Sequence, residues 1–496
     1  MNAVFAALES PDLYVDSLIL GAALVLAVGV LGTVLADQFR VPSLLFFLAL
    51  GMILADDGLQ WLPFDNASLA QNLSVLALIV ILFDGGLSTR TGRLVAVLRP
   101  AGALATVGVV LSAALVAGAL IVVFDTDATT AWLIGAVVSS TDAAAVFTAL
   151  RNTSLPTRLH DTVEAESGLN DPIAVLLTIG LVQSSEQSVG IGDWLVFGVR
   201  QILLGAIVGC LVGVVGAALI GRVRLTSIAA YPVLAFATAG AAYGLAVLVE
   251  GSGFLAVYLA GVVLSERAGR YRRALRSFQA GLASVAQVGL FFLLGLLVFP
   301  SELADVAGQA LFVAVVLALV ARPVAVLVST IWFRWPLRQM VFLSWAGLRG
   351  AVPIVLATFP LTARYEDGRL IFNIVFFVVL VSATVQGTTL AWLARVLGLR
   401  GDATSSAASV ELSPVDTTSA DIVDLELTEH AAVLDQPLRT IPLPAGARIA
   451  LVTRGGELIV PDGDTRLEVG DQLVIGASRG GLDPDALAGW LDGQPP

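Results

Sequence analysis

Lysine does not occur in this chain, and all 27 basic residues are arginine. That bias reads as a GC-rich coding preference and carries no mechanism of its own. Cysteine occurs once, as Cys210 inside an apolar run, which excludes intrachain disulfides and cysteine-rich metal sites. Histidine occurs twice, and His160 and His430 lie too far apart in sequence to suggest a zinc site. Charge is scarce: 13% of residues are charged, against about 25% in a soluble domain. The N-terminus lacks a basic segment and a small-residue cleavage site, so the first apolar run is expected to remain as a span. No His-Glu pair, G-x-S-x-G elbow or phosphate-cradling loop stands in the apolar runs, which argues against an enzyme.

What is present is apolar. Hydrophobic residues make up 57% of the chain and mean hydropathy is +0.90, the composition of a polytopic membrane protein. A spanning helix needs about 20 mainly apolar residues. Thirteen segments qualify, near 16–37, 41–56, 69–88, 98–124, 129–150, 161–183, 190–221, 227–249, 252–266, 280–300, 303–332, 338–360 and 367–397. Loops after odd-numbered segments hold 17 arginines, whereas loops after even-numbered ones hold two, Arg364 and Arg369. By the positive-inside bias the N-terminus is outside and the C-terminal tail cytoplasmic.

An odd count around a central span permits two inverted six-helix repeats, a plan that puts a transporter's site at the bilayer midplane between interrupted helices. Two interruptions match by order: "VVSSTDAAAV" (137–146) in the fifth segment and "SWAGLRGAVP" (344–353) in the twelfth. Irregular backbone at that depth is tolerable only where it is buried in protein or lines a water-filled cavity.

The net charge of −12 belongs to the tail: residues 1–400 hold 23 acids and 22 arginines, whereas 421–496 hold 13 acids and five arginines. Residues 401–420, rich in Ser, Thr, Ala and Asp, read as a linker between a transmembrane domain, 1–400, and a small β-rich module, 421–496. The module's strands are expected in "DIVDLEL", "ARIALVTR", "ELIVP" and "DQLVIGA", with a helix-like close in "DPDALAGWL".

The chemistry concentrates in "ESGLNDPIA", Glu166 to Ala174. An ionisable group at bilayer depth is a functional site by default. Burial disfavours the charged form of Asp171, so near neutral pH it can hold either a proton or a cation. Pro172 has no N–H and deprives the Gly168 carbonyl of its helical partner, leaving a hard oxygen beside that carboxylate. Asn170 adds an uncharged polar neighbour. In the fifth segment Ser139, Ser140, Thr141 and Asp142 form a second polar cluster, where Thr141 offers a hydroxyl and a carbonyl to the ion. Asp142 either neutralises the amide ends of the broken helix or holds the proton. Arg349 needs an anion, and Glu166 is the expected partner, a structural pair tying the two halves together. Asp84, in "LFDGGLSTR", either lines the cytoplasmic entrance or caps a turn at Gly85-Gly86. Arg322 is expected to snorkel or pair.

Together "LFDGGL", "SSTDAAAVF", "ESGLNDPIAV" and "GLRGAVP" resemble the monovalent cation:proton antiporters of the NhaP type, in the branch called potassium/proton antiporter or cell volume regulation protein A. The resemblance implies an all-α polytopic membrane protein of about 13 transmembrane helices, with two unwound crossing helices, a six-helix core domain and a dimerisation domain. It implies a homodimer working by an elevator-like alternating-access cycle. Position by position, it puts the essential aspartate on Asp171 and its preceding asparagine on Asn170. The unwound-helix pair falls on Thr141 and Asp142, the glutamate–serine pair on Glu166 and Ser167, and the crossover arginine on Arg349. The Asn-Asp pair implies electroneutral exchange of one proton for one cation. Ala143 stands where many sodium-exchanging relatives have proline, which matches the potassium branch.

The tail resembles the TrkA-C (RCK-C) module of potassium-transport regulators over Pro442 to Ala477. That likeness implies dimerisation and a small regulatory ligand such as a nucleotide or cyclic dinucleotide. The module's acidity disfavours polyanions unless Arg448, Arg454 or Arg466 cluster, and no nucleic-acid partner is expected. The resulting expectation is a multi-pass antiporter of the bacterial inner membrane, exchanging cytoplasmic K⁺, or alternatively Na⁺, for H⁺. It needs no cofactor, and the monovalent cation sits at Asp171 and Thr141. A gated cation channel is the rival from another class.

Overall fold

The computed structural model describes residues 43–399 and 411–478 with short gaps, together with Ala27, Gly29 and Trp490. The gaps are 56, 63, 65, 90, 151–154, 185–190, 224–226, 228, 268–270, 415–419, 428–430, 444–445 and 455–456. The expected segment at 16–37, Arg40, Arg90, Arg151, Arg224, Arg270, Arg400, His430 and all of the closing stretch but Trp490 lie outside the described residues. The chain divides into two compact units, one helical and reaching to Gly401, the other formed by Gly269–Ala274 and Asp402–Pro496.

Among the described residues of the helical unit, eight helices are long and apolar enough to cross a membrane, or nine if one bent pair counts as a single span. Helix α1 is Ser43–Leu54. Helix α2, Ala67–Ser88, starts where the Asn66 side chain accepts from the Leu69 amide at 2.9 Å. Helix α3, Thr91–Ala103, passes through a π-turn at Leu104–Gly108 into α4, Val109–Phe124. It begins seven residues before the expected 98, because the arginine-bearing turn "TGRLVAVLR" is helical although it is not apolar.

Next come α5, Ala128–Val138, and α6, Ala143–Leu150, bent 47° apart across Ser139–Asp142. Helix α7, Thr157–Ser184, runs through Pro172 without ending. Then follow α8, Ile191–Arg222; α9, Ala230–Leu248; α10, Gly253–Arg267; and α11, Arg272–Leu296. Helix α12, Pro300–Val316, is joined by a π-turn at Leu317–Ala321 to α13, Arg322–Thr330. A second break separates α14, Leu337–Trp345, from α15, Ala351–Thr362. Helix α16, Gly368–Val381, continues through a π-turn at Ser382–Gln386 into α17, Gly387–Val396.

Both breaks fall within the two stretches singled out in the sequence, and they meet. The Asp142 amide donates to the Leu348 carbonyl at 2.9 Å, so the non-helical stretch 346–350 lies against the one at 139–142. At Gly350 any side chain would overlap the Asp142 carboxylate, so this close approach requires glycine.

The smaller unit is an antiparallel five-stranded sheet in the order β1-β2-β5-β3-β4. Its strands are β1, Glu411–Pro414; β2, Ala420–Glu426; β3, Ala447–Arg454; β4, Glu457–Ile459; and β5, Gln472–Ser478. The linker reading of 401–420 needs correction at β1, whose residues pair with β2 from Glu411↔Asp424 to Pro414↔Asp421. Leu425, Val452, Leu467, Leu473, Ile475 and Trp490 form its core.

Candidate functional site

Asp171 stands in the middle of α7, 6% exposed, and its Oδ1 accepts a hydrogen bond from Ser140 Oγ at 2.7 Å. Among the described residues no cationic side chain lies within salt-bridge distance of it. It lines a cavity of 580 Å³, against about 30 Å³ for one water in the liquid. The walls carry Asp84, Asp142, Ser167 and Asp171, and the cavity extends to Arg93 and His160, whose side chains are 52% and 42% exposed. A buried carboxylate thus lines a cavity that reaches exposed residues.

The unwound residues of the α5–α6 break are fastened to α7. Asn170 Nδ2 donates to Thr141 Oγ1 at 2.5 Å. Ser167 Oγ donates to the Thr141 carbonyl at 3.0 Å and accepts from the Ala143 amide at 3.1 Å. The break exposes amides and carbonyls that a continuous helix would satisfy. Asp142 Oδ1 accepts from the Ala144 and Ala145 amides at 2.9 and 3.2 Å, a carboxylate at the N-terminus of α6. Of the two roles left open for Asp142, the observed geometry is the cap.

Arg349 does the opposite job at the other end. Its Nη1 donates to the Ser139 and Ser140 carbonyls at 2.8 and 2.5 Å, placing a cation at the C-terminal end of α5. Its own amide donates to Ser382 Oγ at 3.2 Å, inside the π-turn, where Ser382 in turn donates to Gln386 Oε1 at 2.6 Å. The expected Glu166–Arg349 pair is therefore corrected. Glu166 instead forms a two-point pair with Arg322, Nη1 to Oε1 at 2.5 Å and Nη2 to Oε2 at 2.9 Å, with both side chains at most 4% exposed. Arg349 gives its side-chain hydrogen bonds to backbone carbonyls, which no residue-type count reveals.

Asp84 lines the cavity, and α2 continues through Gly85-Gly86, so the alternative of a capped turn there is also corrected. Ser140 is the donor that the sequence named only as part of a polar cluster. Thr89, Glu164 and Tyr258, also lining the cavity, carried no sequence signal of their own. In the sheet unit Arg454 is committed internally: Nε and Nη2 donate to the two oxygens of buried Asp471 at 2.8 and 2.9 Å. Arg466 Nη1 donates to the Asp435 carbonyl at 2.8 Å.

Residues 23–396 match the family model "Sodium/hydrogen exchanger, transmembrane", and residues 422–483 match the TrkA-C domain. The K(+)/H(+) antiporter NhaP2 of Shewanella baltica (strain OS223) is 38% identical over 468 residues, 93% of this chain and 81% of the relative. The K(+)/H(+) antiporter NhaP of Alkalimonas amylolytica is 35% identical over 456 residues, 90% of this chain and 79% of the relative. The structure of the sodium proton antiporter MjNhaP1 from Methanocaldococcus jannaschii at pH 8 matches with a TM-score of 0.67 at 22% identity, covering 76% of this chain and 98% of that one. The fold is thus that of a known polytopic membrane protein, with a small sheet at its C-terminal end. Family match, identity and architecture agree: this chain belongs to the sodium/hydrogen exchanger transmembrane family and carries a TrkA-C domain.

Proposed function

We propose that the protein is an electroneutral antiporter exchanging K⁺ for H⁺ at Asp171. The observation that carries the reading is a buried carboxylate with no arginine partner among the described residues, held by Ser140 at 2.7 Å and opening on a cavity. Such a group takes either a proton or a monovalent cation, and desolvation makes holding neither costly. Two positive ions compete for one carboxylate, so each exchange moves no net charge. The relatives named K(+)/H(+) antiporters support the cation; MjNhaP1, named a sodium proton antiporter, keeps Na⁺ as the alternative.

In this mechanism a cation enters past Asp84 and displaces the proton on Asp171. Ser140, Asn170 and Ser167 preorganise the unwound Thr141 segment, so Thr141 adds hard oxygens without new ordering at each cycle. Asp142 and Arg349 neutralise the half-helix ends and keep the crossing rigid. Glu166 and Arg322 hold α7 to α13. The reading includes thirteen spans in two inverted six-helix repeats, an external N-terminus, a homodimer in the bacterial inner membrane and alternating access.

The domain reading is a transmembrane domain over 1–400, a linker over 401–420 that includes β1, and a cytoplasmic regulatory module over 421–496. The TrkA-C match supports a small regulatory ligand, a nucleotide or cyclic dinucleotide. With Arg454 and Arg466 engaged inside the module, such a ligand would need other donors, Arg448 among them.

The test is cation-dependent dissipation of an imposed ΔpH in proteoliposomes, with K⁺, Na⁺, Li⁺ and Rb⁺ compared across pH and the membrane potential clamped. K⁺-dependent proton movement under clamp supports the antiporter. Cation current without coupled proton movement would point to a channel instead.

A further inference from the structure

We infer that Tyr258 sets which side of the membrane Asp171 meets, its ring riding on Gly168 and its hydroxyl reaching Glu164 through Thr89. The inference rests on the alternating-access reading above. Two bodies meet at this point. Helices α2, α10 and α11 are pinned to one another: a Cβ on Gly261 would lie 2.8 Å from the Phe83 carbonyl oxygen, and Ser265 Oγ donates to the Leu87 carbonyl at 2.7 Å. Arg276 donates to the Leu87 and Ser88 carbonyls at 3.0 and 2.7 Å, and Gln279 Nε2 to the Val80 carbonyl at 3.1 Å. Helix α7 is fastened instead to the α5–α6 break and to Arg322.

Between these bodies Thr89 makes polar contacts to both sides. The Thr89 hydroxyl shares its proton between the Gly85 carbonyl at 2.9 Å and Glu164 Oε1 at 3.2 Å, and lies 3.4 Å from the Tyr258 hydroxyl. The rest is a small apolar cluster of Leu94, Val97 and Ala101 from α3, Ala165 from α7, and Tyr258 and Val262 from α10. At its centre the buried ring of Tyr258 lies on a residue with no side chain. A Cβ on Gly168 would stand 2.5 Å from two ring carbons and 2.8 Å from the hydroxyl oxygen.

Gly168 is three residues from Asp171, and Glu164, Gly168 and Asp171 all line the cavity. A helix rises about 5.4 Å per turn, so any slide of α7 past α10 must carry its surface beneath this ring. Glycine at 168 and alanine at 165 leave that track low. The Thr89 hydroxyl supplies a hydrogen-bonded latch at one end of the travel, and a packed interface of this kind switches between discrete positions rather than deforming.

The experiment uses the full-length chain in proteoliposomes. Gly168→Ala is expected to lower the turnover of K⁺/H⁺ exchange about tenfold through overpacking, with half-saturating K⁺ changed by less than about twofold. Adding Tyr258→Ala to Gly168→Ala restores turnover to that of Tyr258→Ala alone, which assigns the defect to the ring contact, and cysteine labelling separates gating from packing. Thr89→Val keeps the shape and cuts the latch. In a Cys210→Ala, Ala144→Cys background it is expected to shift labelling by an impermeant maleimide between the two membrane faces by about threefold. A Gly168→Ala protein that fails to fold leaves the decision to this labelling. Parental turnover in Gly168→Ala, a folded but unrescued double variant, or labelling unchanged by Thr89→Val would each overturn the inference. A parent protein with no K⁺-dependent proton movement would overturn the antiporter reading instead.

Discussion

Glu166 and Arg322 face each other as a two-point ion pair at 2.5 and 2.9 Å, 156 residues apart in sequence, with almost no exposure to solvent. The pair frees Arg349 to cap the carbonyl end of α5 and, among the described residues, leaves Asp171, five residues along α7, without an arginine partner. Removing one partner strands the other as a buried charge, at a cost of about 3–5 kcal/mol.

Arg322→Ala and Glu166→Leu are each expected to lower the thermal midpoint of the detergent-solubilised protein strongly. Combining Arg322→Met with Glu166→Leu puts an apolar pair of similar volume in place of the ions and should recover most of that loss. Size-exclusion of heated samples reads all three. A double variant no more stable than either single would show that the pair contributes more than mutual neutralisation.

Asp142 and Asp171 both line one cavity, but Asp171 is buried whereas Asp142 is partly exposed and caps a helix. Asparagine caps as well as aspartate does. Asp142→Asn is therefore expected to retain exchange to within about tenfold, whereas Asp142→Ala loses about 0.5–2 kcal/mol of stability with the cap. Exchange rates and melting of the two variants separate these effects. Abolished exchange in folded Asp142→Asn would make Asp142 a proton carrier.

Burial in the sheet unit pushes the Asp471 carboxyl up, but the Arg454 hydrogen bonds, the Glu468 amide and the Arg454 charge outweigh it, and the group titrates below the usual carboxylate range. A folded-state value below the unfolded one, about 3.9, means stability that is complete above the unfolded value and is lost as pH falls through the folded one. Acid unfolding of the module should show that loss, and Asp471→Asn should flatten it. An identical acid limb in the variant would contradict the assignment.

Deleting 401–496 is expected to alter activation of exchange by pH or ligand while leaving transport in place. Rates across pH for the full-length and shortened proteins test this. A shortened protein that folds but does not exchange would refute a purely regulatory tail.

Much of this was legible in the sequence because membrane physics writes in large letters. Apolar runs of span length, arginines gathered in alternate loops and polar knots within "SSTDAAAV" and "GLRGAVP" each follow from the cost of polar groups in lipid. The break residues Ser139–Asp142 and Gly347–Gly350 stand where those knots are. What stayed hidden was partnership. The sequence reading pairs Glu166 with Arg349, whereas the three-dimensional arrangement gives it Arg322, 156 residues away. Carbonyl partners, such as those of Arg349, have no residue type to read. Strand β1 was missed because "ELSP" sits in a polar stretch with no alternation of its own and is held by pairing with β2.

The central claim is that one carboxylate, Asp171, is shared in turn by a proton and an alkali cation. The most direct measurement is K⁺-induced collapse of an imposed ΔpH under clamped potential, comparing the parent with Asp171→Asn proteoliposomes. Rapid collapse is expected in the parent, and none above the leak in a folded Asp171→Asn protein. Undiminished K⁺/H⁺ exchange in Asp171→Asn would contradict the claim.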